Sequence, residues 1–150
     1  MFSRGGGLLP SIYANARYVD AVIVSKAGTP EAGNFYAPTI ISGVKEGFRI
    51  VDEEQFGPVM PIITFADDDD AVERANATMF GLGGSVWGAD LEAANKLAMR
   101  IQSGTVWVNQ HSDLTGAPFG GFKWSGVGRE LGKADITAFS EAQTLSIAKL

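Results

Sequence analysis

A chain of 150 residues, 45% of them apolar, is long enough for one domain with a sizeable core and too short for two full-sized ones. It contains no cysteine, which excludes disulfides, thiolate metal sites and a cysteine nucleophile within this chain. Twelve Lys and Arg against seventeen Asp and Glu give a net charge of -5, which argues against nucleic acid and anionic membranes as partners and for small molecules or proteins.

Residues 1–34 resist a periodic reading, because Gly5-Gly6-Gly7, Pro10, Gly28-Thr29-Pro30 and Gly33 interrupt every pattern. The one coherent run there is Tyr18-Val19-Asp20-Ala21-Val22-Ile23-Val24. Its β-branched content favours a strand, while Val19, Val22 and Ile23 also fall at helical spacing, so both readings stay open. Residues 1–34 are expected to form a divergent N-terminal segment, with a loose tail as the alternative to a structured start. No run approaches the ~20 apolar residues of a membrane helix, and Met1-Phe2-Ser3-Arg4 leads into glycines, so a soluble, cytoplasmic protein is expected.

From residue 35 the patterns sharpen. Val59-Met60-Pro61-Ile62-Ile63-Thr64-Phe65 reads as a short buried strand, with Pro61 implying an edge or a bulge because proline cannot donate to the ladder. Asp67 to Asp70 then place four carboxylates where a helix begins, followed by Ala71, Val72, Ala75 and Met79 on one face. Consecutive aspartates on a helix diverge in direction, so the run reads as a charged helix start and not as a metal site. Gly81 to Gly84 are expected to end that helix, and Ser85-Val86-Trp87 to form a strand. Asp90 caps a second helix with an apolar stripe of Leu91, Ala94, Leu97, Ala98 and Ile101, closed by Gly104.

Thr105-Val106-Trp107-Val108 is the next strand. The order strand, helix, strand, helix, strand over about 59–108 predicts an α/β fold with a partial doubly wound parallel sheet, whose ligands sit beyond the strand C-termini, where Asn109 lies. Residues 109–133 form a long glycine-rich loop with Phe119, Phe122 and Trp124, a composition that suits function better than disorder. Thr144 to Lys149 alternate polar and apolar residues as a terminal strand, and its open edge invites another subunit.

Several motifs fail when tested for chemistry. Gly126 and Gly128 begin a dinucleotide fingerprint, but Leu131 stands where the third glycine belongs. Gly116 and Gly121 have phosphate-loop spacing, but Phe122 replaces the lysine. Gly83-Gly84-Ser85 lacks the second glycine of a nucleophile elbow. Two Ser-x-x-Lys pairs, Ser42 with Lys45 and Ser146 with Lys149, lack the supporting motifs of serine acyl-transferases. His111, the single histidine, is the only imidazole base available, and its neighbours Ser112 and Asp113 do not make a triad by adjacency. One histidine without thiolates cannot anchor zinc either.

Three blocks are more specific: Glu53-Glu54-Gln55-Phe56-Gly57-Pro58-Val59, Gly104-Thr105-Val106-Trp107-Val108-Asn109, and Pro118 to Gly132 (Pro-Phe-Gly-Gly-Phe-Lys-Trp-Ser-Gly-Val-Gly-Arg-Glu-Leu-Gly). In this order and spacing they resemble the C-terminal portion of the NAD(P)-dependent aldehyde dehydrogenase superfamily, over roughly residues 33–150. The resemblance implies a partial catalytic domain over 35–143 and an oligomerisation strand over 144–150 that is inserted into a neighbouring subunit, hence a homo-oligomer. It implies that Glu54 is the carboxylate that binds the nicotinamide ribose hydroxyls, that Phe56 packs beside the ribose and nicotinamide, that Leu114 and Phe119 line the aldehyde tunnel, and that Asn109 belongs to the scaffold under the site.

The family reaction, NAD(P)-dependent oxidation of an aldehyde to an acid, also uses a cysteine, a glutamate base and a dinucleotide-binding domain. None is identifiable in this chain; Glu130-Leu131-Gly132-Lys133 only superficially resembles the glutamate motif. The expectation is a truncated family member that is not itself a competent dehydrogenase and does not hold NAD(P) tightly alone. Two alternatives remain: a weak esterase using Ser112 or Ser42 with His111, Lys45 or Lys149, and a non-catalytic oligomerisation partner.

Overall fold

Ile41, Val44, Ile50 and Val59 form one buried cluster, and the strands that carry them explain why these four meet. The computed structural model describes residues 22–26, 28, 32–33, 35–112 and 114–149. It divides the chain into two compact units, one ending at Phe65 and the other beginning at Ala66, so the division falls inside the stretch expected as one domain.

In the first unit three strands form one sheet in the order β1-β2-β3: β1 (Val22–Lys26), β2 (Thr39–Ser42) and β3 (Val59–Pro61). β1 runs antiparallel to β2, and β2 parallel to β3 with Thr39 opposite Val59 and Ile41 opposite Pro61. Val22 to Val24 thus form a strand, whereas Tyr18 to Ala21 and most of residues 1–34 lie outside the described residues. β2 shows the period of two that a half-buried strand requires: Thr39 and Ile41 are buried, Ile40 and Ser42 half-buried. The Thr39 hydroxyl donates to the Ala37 carbonyl at 2.8 Å, so its burial strands no polar group.

The single-turn helix α1 (Arg49–Asp52) delivers Ile50 to the cluster, and Tyr36, Phe48, Val51 and Ile63 pack around it. β3 is shorter than the expected 59–65 and ends at Pro61, on the edge of its sheet, where a missing N–H does least harm. One further bond, from Ile62 N–H to the Ile41 carbonyl at 2.7 Å, closes the ladder.

In the second unit, α2 (Asp68–Ala77) starts where the acidic run predicts. Asp67 is extended and its side chain accepts from Asp70 N–H at 2.9 Å, satisfying one of the free donors of the first turn. The far end differs from expectation. The helix stops at Ala77, before any glycine, because Thr78 turns to an extended conformation; Ala75 and Met79 are exposed and do not continue the stripe of Val72. Lys123 then donates to the Asn76 and Thr78 carbonyls at 2.6 and 3.0 Å, placing a cation at the negative end of the helix.

Gly81, Gly83 and Gly84 enter strands instead of a helix cap. β4 (Phe80–Gly81) pairs antiparallel with β7 (Phe122–Lys123), and β5 (Gly83–Val86) pairs parallel with β6 (Thr105–Val108). The connection from β5 to β6 carries α3 (Leu91–Ala98), capped by Asp90, whose carboxylate accepts from Glu92 and Ala93 N–H at 3.0 and 3.1 Å. Ala94 and Ala98 are buried and Leu97 and Ile101 half-buried, but Leu91 at the start of the stripe is 58% exposed. Gly104 belongs to the turn before β6, since α3 has already ended at Ala98. A last helix, α4, spans Gly132–Ala138.

The fold is therefore α/β with small parallel sheets. The strand and helix order expected over 59–108 is present, and β5 and β6 pair in parallel as expected, but the strands do not all share one sheet: β3 pairs with β2 and β4 with β7. The stretch 109–133 is less of a loop than expected, since it contains β7 and a reciprocal bridge in which Phe119 and Glu130 exchange N–H to carbonyl bonds of 2.7 Å. The strand expected at the terminus is not formed in the single chain: residues 140–149 carry no regular structure, with Leu145 and Ile147 about four-fifths exposed. A strand needs a partner for its backbone groups, and among the described residues none pairs with these. Among the described residues no helix is long and apolar enough to cross a membrane.

Candidate functional site

The parallel pair β5–β6 has two unlike faces. Ala94 and Ala98 of α3 are buried against it, and a Cβ placed on Gly84 would meet Ile101 on that side. Gly83, Thr105 and Trp107 point the other way, as the alternation along a strand demands. There they floor a pocket of about 660 Å³. Leu82 borders it, the chain after β6 walls it with His111, Leu114 and Thr115, and Pro118, Phe119 and Leu131 complete the rim.

Trp107 organises this floor. Its indole lies against Gly83, where a Cβ would sit 2.8 Å from the ring, so a side chain at that position would displace it. The His111 ring stacks on the indole with centroids 4.2 Å apart, tilted by 35°. The indole N–H donates to the Ser112 carbonyl at 2.8 Å, which ties the loop down onto the strand that precedes it. Farther on, Arg129 donates to the Gly121 and Gly128 carbonyls at 3.1 and 2.6 Å and sits over the Phe122 ring at 5.6 Å, holding the glycine-rich chain in place. Leu131 has φ 62 and ψ 164, a combination that costs a branched residue backbone energy, and it turns the chain into α4 at the pocket rim.

The expected site residues thus separate. Leu114, Phe119 and His111 meet at one pocket. Asn109 does not line it, and the pocket rests on the sheet face instead of beyond the strand ends. Asn109 has φ 52, and its side-chain amide accepts from Gly88 N–H and donates to the Gly88 carbonyl, both at 2.8 Å. In effect its side chain adds one more rung to the β5–β6 ladder. Asn109→Ala should cost about 1–3 kcal/mol through the two lost bonds and a less tolerant residue in the left-handed region. Asn109→Gly, which keeps that conformation easily, should lose less. Thermal unfolding checks both, and a wild-type midpoint for the alanine variant would refute the pairing role.

The nucleophile candidates are not assembled. The Ser112 hydroxyl donates to Gln110 Oε1 at 3.5 Å and makes no hydrogen bond to His111, and Asp113 lies outside the described residues. His111 packs on the Trp107 indole, and it is the indole N–H that holds a backbone carbonyl of the loop. Ser42 is half-buried at the end of β2, and Gly43 at φ 72 turns the chain before the exposed Lys45. Ser146 and Lys149 are exposed in the terminal segment. Among the described residues no cluster of His, Asp or Glu could hold a metal ion. Thr105, Trp107 and Leu131 were missed as site residues. The period of two in β6 puts Thr105 and Trp107 on one face and could have found them, whereas nothing in the sequence announces the backbone of Leu131.

Glu54 and Phe56 lie in the first unit, just after α1. Their neighbour Glu53 forms a two-pronged pair with Arg49, at 2.5 and 2.9 Å. That hydrogen-bonded guanidinium lowers the Glu53 carboxyl below its ordinary value, and the same contact raises the Arg49 guanidinium. Glu54 is exposed and has no such partner among the described residues, and the Phe56 ring is 78% exposed. Between them Gln55 donates to the Glu53 carbonyl at 2.9 Å, while its Oε1 is buried without a partner. The Glu54 carboxylate and the Phe56 ring are thus open to a ligand, whereas the Gln55 acceptor is buried.

The model of the aldehyde dehydrogenase family matches residues 11–145. The chain belongs to that family. The match begins at residue 11, well before the point near residue 33 where the motifs become recognisable. A betaine aldehyde dehydrogenase of Bacillus subtilis (strain 168) is 46% identical over 112 residues, covering 74% of this chain and 23% of that protein. Among solved structures, a betaine aldehyde dehydrogenase from Staphylococcus aureus in complex with NAD+ is similar at a TM-score of 0.79 and 36% identity, over 86% of this chain and 27% of that one. A salicylaldehyde dehydrogenase from Pseudomonas putida G7 complexed with salicylaldehyde is similar at 0.85 and 32%, over 94% and 29%. This aldehyde dehydrogenase family chain spans about a quarter of the length of the relatives it matches.

Proposed function

We propose that the chain supplies the C-terminal share of an aldehyde dehydrogenase catalytic body, whose reaction is the NAD(P)-dependent oxidation of an aldehyde to an acid. The observation that carries this reading is the family match together with an apolar pocket that has Leu114 and Phe119 in its wall. When bound, the nicotinamide cofactor accepts the hydride. Glu54 would accept hydrogen bonds from its ribose hydroxyls, and Phe56 would flank the ring. Because the chain has no cysteine, it offers no thiolate to attack the aldehyde and is not a dehydrogenase by itself. The esterase reading is disfavoured because the Ser112 hydroxyl is hydrogen-bonded to Gln110 and not to His111. Thr144 to Lys149, with Leu145 and Ile147 exposed, would form a strand only in the sheet of a neighbouring subunit.

The test is a fusion of this chain to the remaining portion of its Bacillus subtilis relative. The 150-residue chain alone should form no reduced nicotinamide from an aldehyde, and the fusion should form it. Glu54→Gln in the fusion should lower kcat/KM for the cofactor by about 10- to 100-fold, the worth of a hydrogen bond to a charged group. Turnover by the chain alone would overturn its assigned incompetence, and an indifferent Glu54→Gln would remove the ribose role.

A further inference from the structure

Resting on the reading that this pocket receives an aldehyde, we propose that it selects neutral, flat aromatic aldehydes, with His111 as the specificity-determining residue whose open imidazole face stacks on the substrate ring. Trp107 also lines the cavity, but its ring is nearly covered. It is 9% exposed, His111 covers it at 4.2 Å, Gly83 underlies its six-membered ring, and its N–H is committed to Ser112.

His111, by contrast, is exposed and borders the cavity, so the side of its ring away from Trp107 is free. The rings available to a ligand are therefore His111 and the 39% exposed Phe119. A quaternary ammonium is held by several converging ring faces or by a carboxylate. Two rings do not enclose it. A neutral aromatic ring needs neither: it gains burial against Leu82 and Leu114 and an offset stack on the imidazole, which the indole behind it holds in place. At about 660 Å³ the pocket has room for a substituted ring.

Because His111 is the only histidine, its two ring C–H signals form an unambiguous NMR reporter. The full chain is titrated with benzamide, hexanamide and choline, unreactive stand-ins for aromatic, aliphatic and quaternary ammonium aldehydes. Benzamide should move the His111 signals upfield and saturate at a concentration at least about tenfold below that of choline. His111→Ala, with an unchanged thermal midpoint, should weaken benzamide binding by about 2- to 10-fold, the worth of an aromatic pair, and leave hexanamide unchanged, both read by equilibrium dialysis. Preferential binding of choline or hexanamide overturns the proposed selectivity while the pocket reading stands. Equal losses for benzamide and hexanamide in His111→Ala overturn the stacking role. Binding of none of the three overturns the pocket reading along with the proposal.

Discussion

Gly104→Ala is expected to unfold the second unit, with a loss of at least about 4 kcal/mol. A Cβ on Gly104 would overlap the Gly120 carbonyl oxygen and lie 2.7 Å from its carbon and 3.3 Å from the Gly121 Cα. All three are backbone atoms, so no rotamer change relieves the contact. The segment they belong to is fixed in turn by the Arg129 bonds and by the Phe119–Glu130 bridge, which would have to give way. Gly104 is not in the left-handed region, so the penalty is steric and not conformational. Gly116→Ala is the matched control: a Cβ there meets nothing within 4 Å, and its effect should stay within about 0.5 kcal/mol. Circular dichroism and the thermal midpoint of the two variants decide it. Equal behaviour would mean that the close approach of Gly104 and Gly120 does not hold the unit together.

Ile41→Ala should destabilise the first unit by about 2–5 kcal/mol. Ile41 is 1% exposed, sits on the central strand, and shares its cluster with Val44, Ile50 and Val59. Strands on both sides leave the site little freedom to collapse, so the lost transfer energy and the cavity add. In urea the midpoint should fall with little change in slope, since the surface exposed on unfolding is nearly the same. Met60→Ala, on the edge strand and 55% exposed, should change it by no more than about 0.5 kcal/mol. If the two variants shift alike, the cluster around Ile41 is not the core of this unit.

What was legible in the sequence was local. Asp67 and Asp90 announce helix starts because a cap needs only its own next few residues, and Pro61 announces an edge because its defect is covalent. The pairing of β4 with β7 was not legible: strands of two residues carry no period, and some forty positions separate Gly81 from Phe122. Gly104 reads as a helix terminator by its neighbours, whereas its actual constraint is a carbonyl sixteen residues later. For the pocket, Phe119 lies in a family-like block and Leu114 between two of them, but those blocks say nothing of Trp107 as the floor or of the partner of the Ser112 hydroxyl. Residues 11–32 belong to the family match without any dense Gly and Pro block of the kind that made the later motifs visible.

The amide of Asn109 has a consequence in time as well as in energy. Gly88 lies two residues past the end of β5, where a backbone N–H ordinarily exchanges its hydrogen with water freely. Here that hydrogen is held by a side chain from the other strand. Its exchange requires that the Asn109 amide let go, so the protection of the Gly88 N–H reports on that side chain as well as on the ladder.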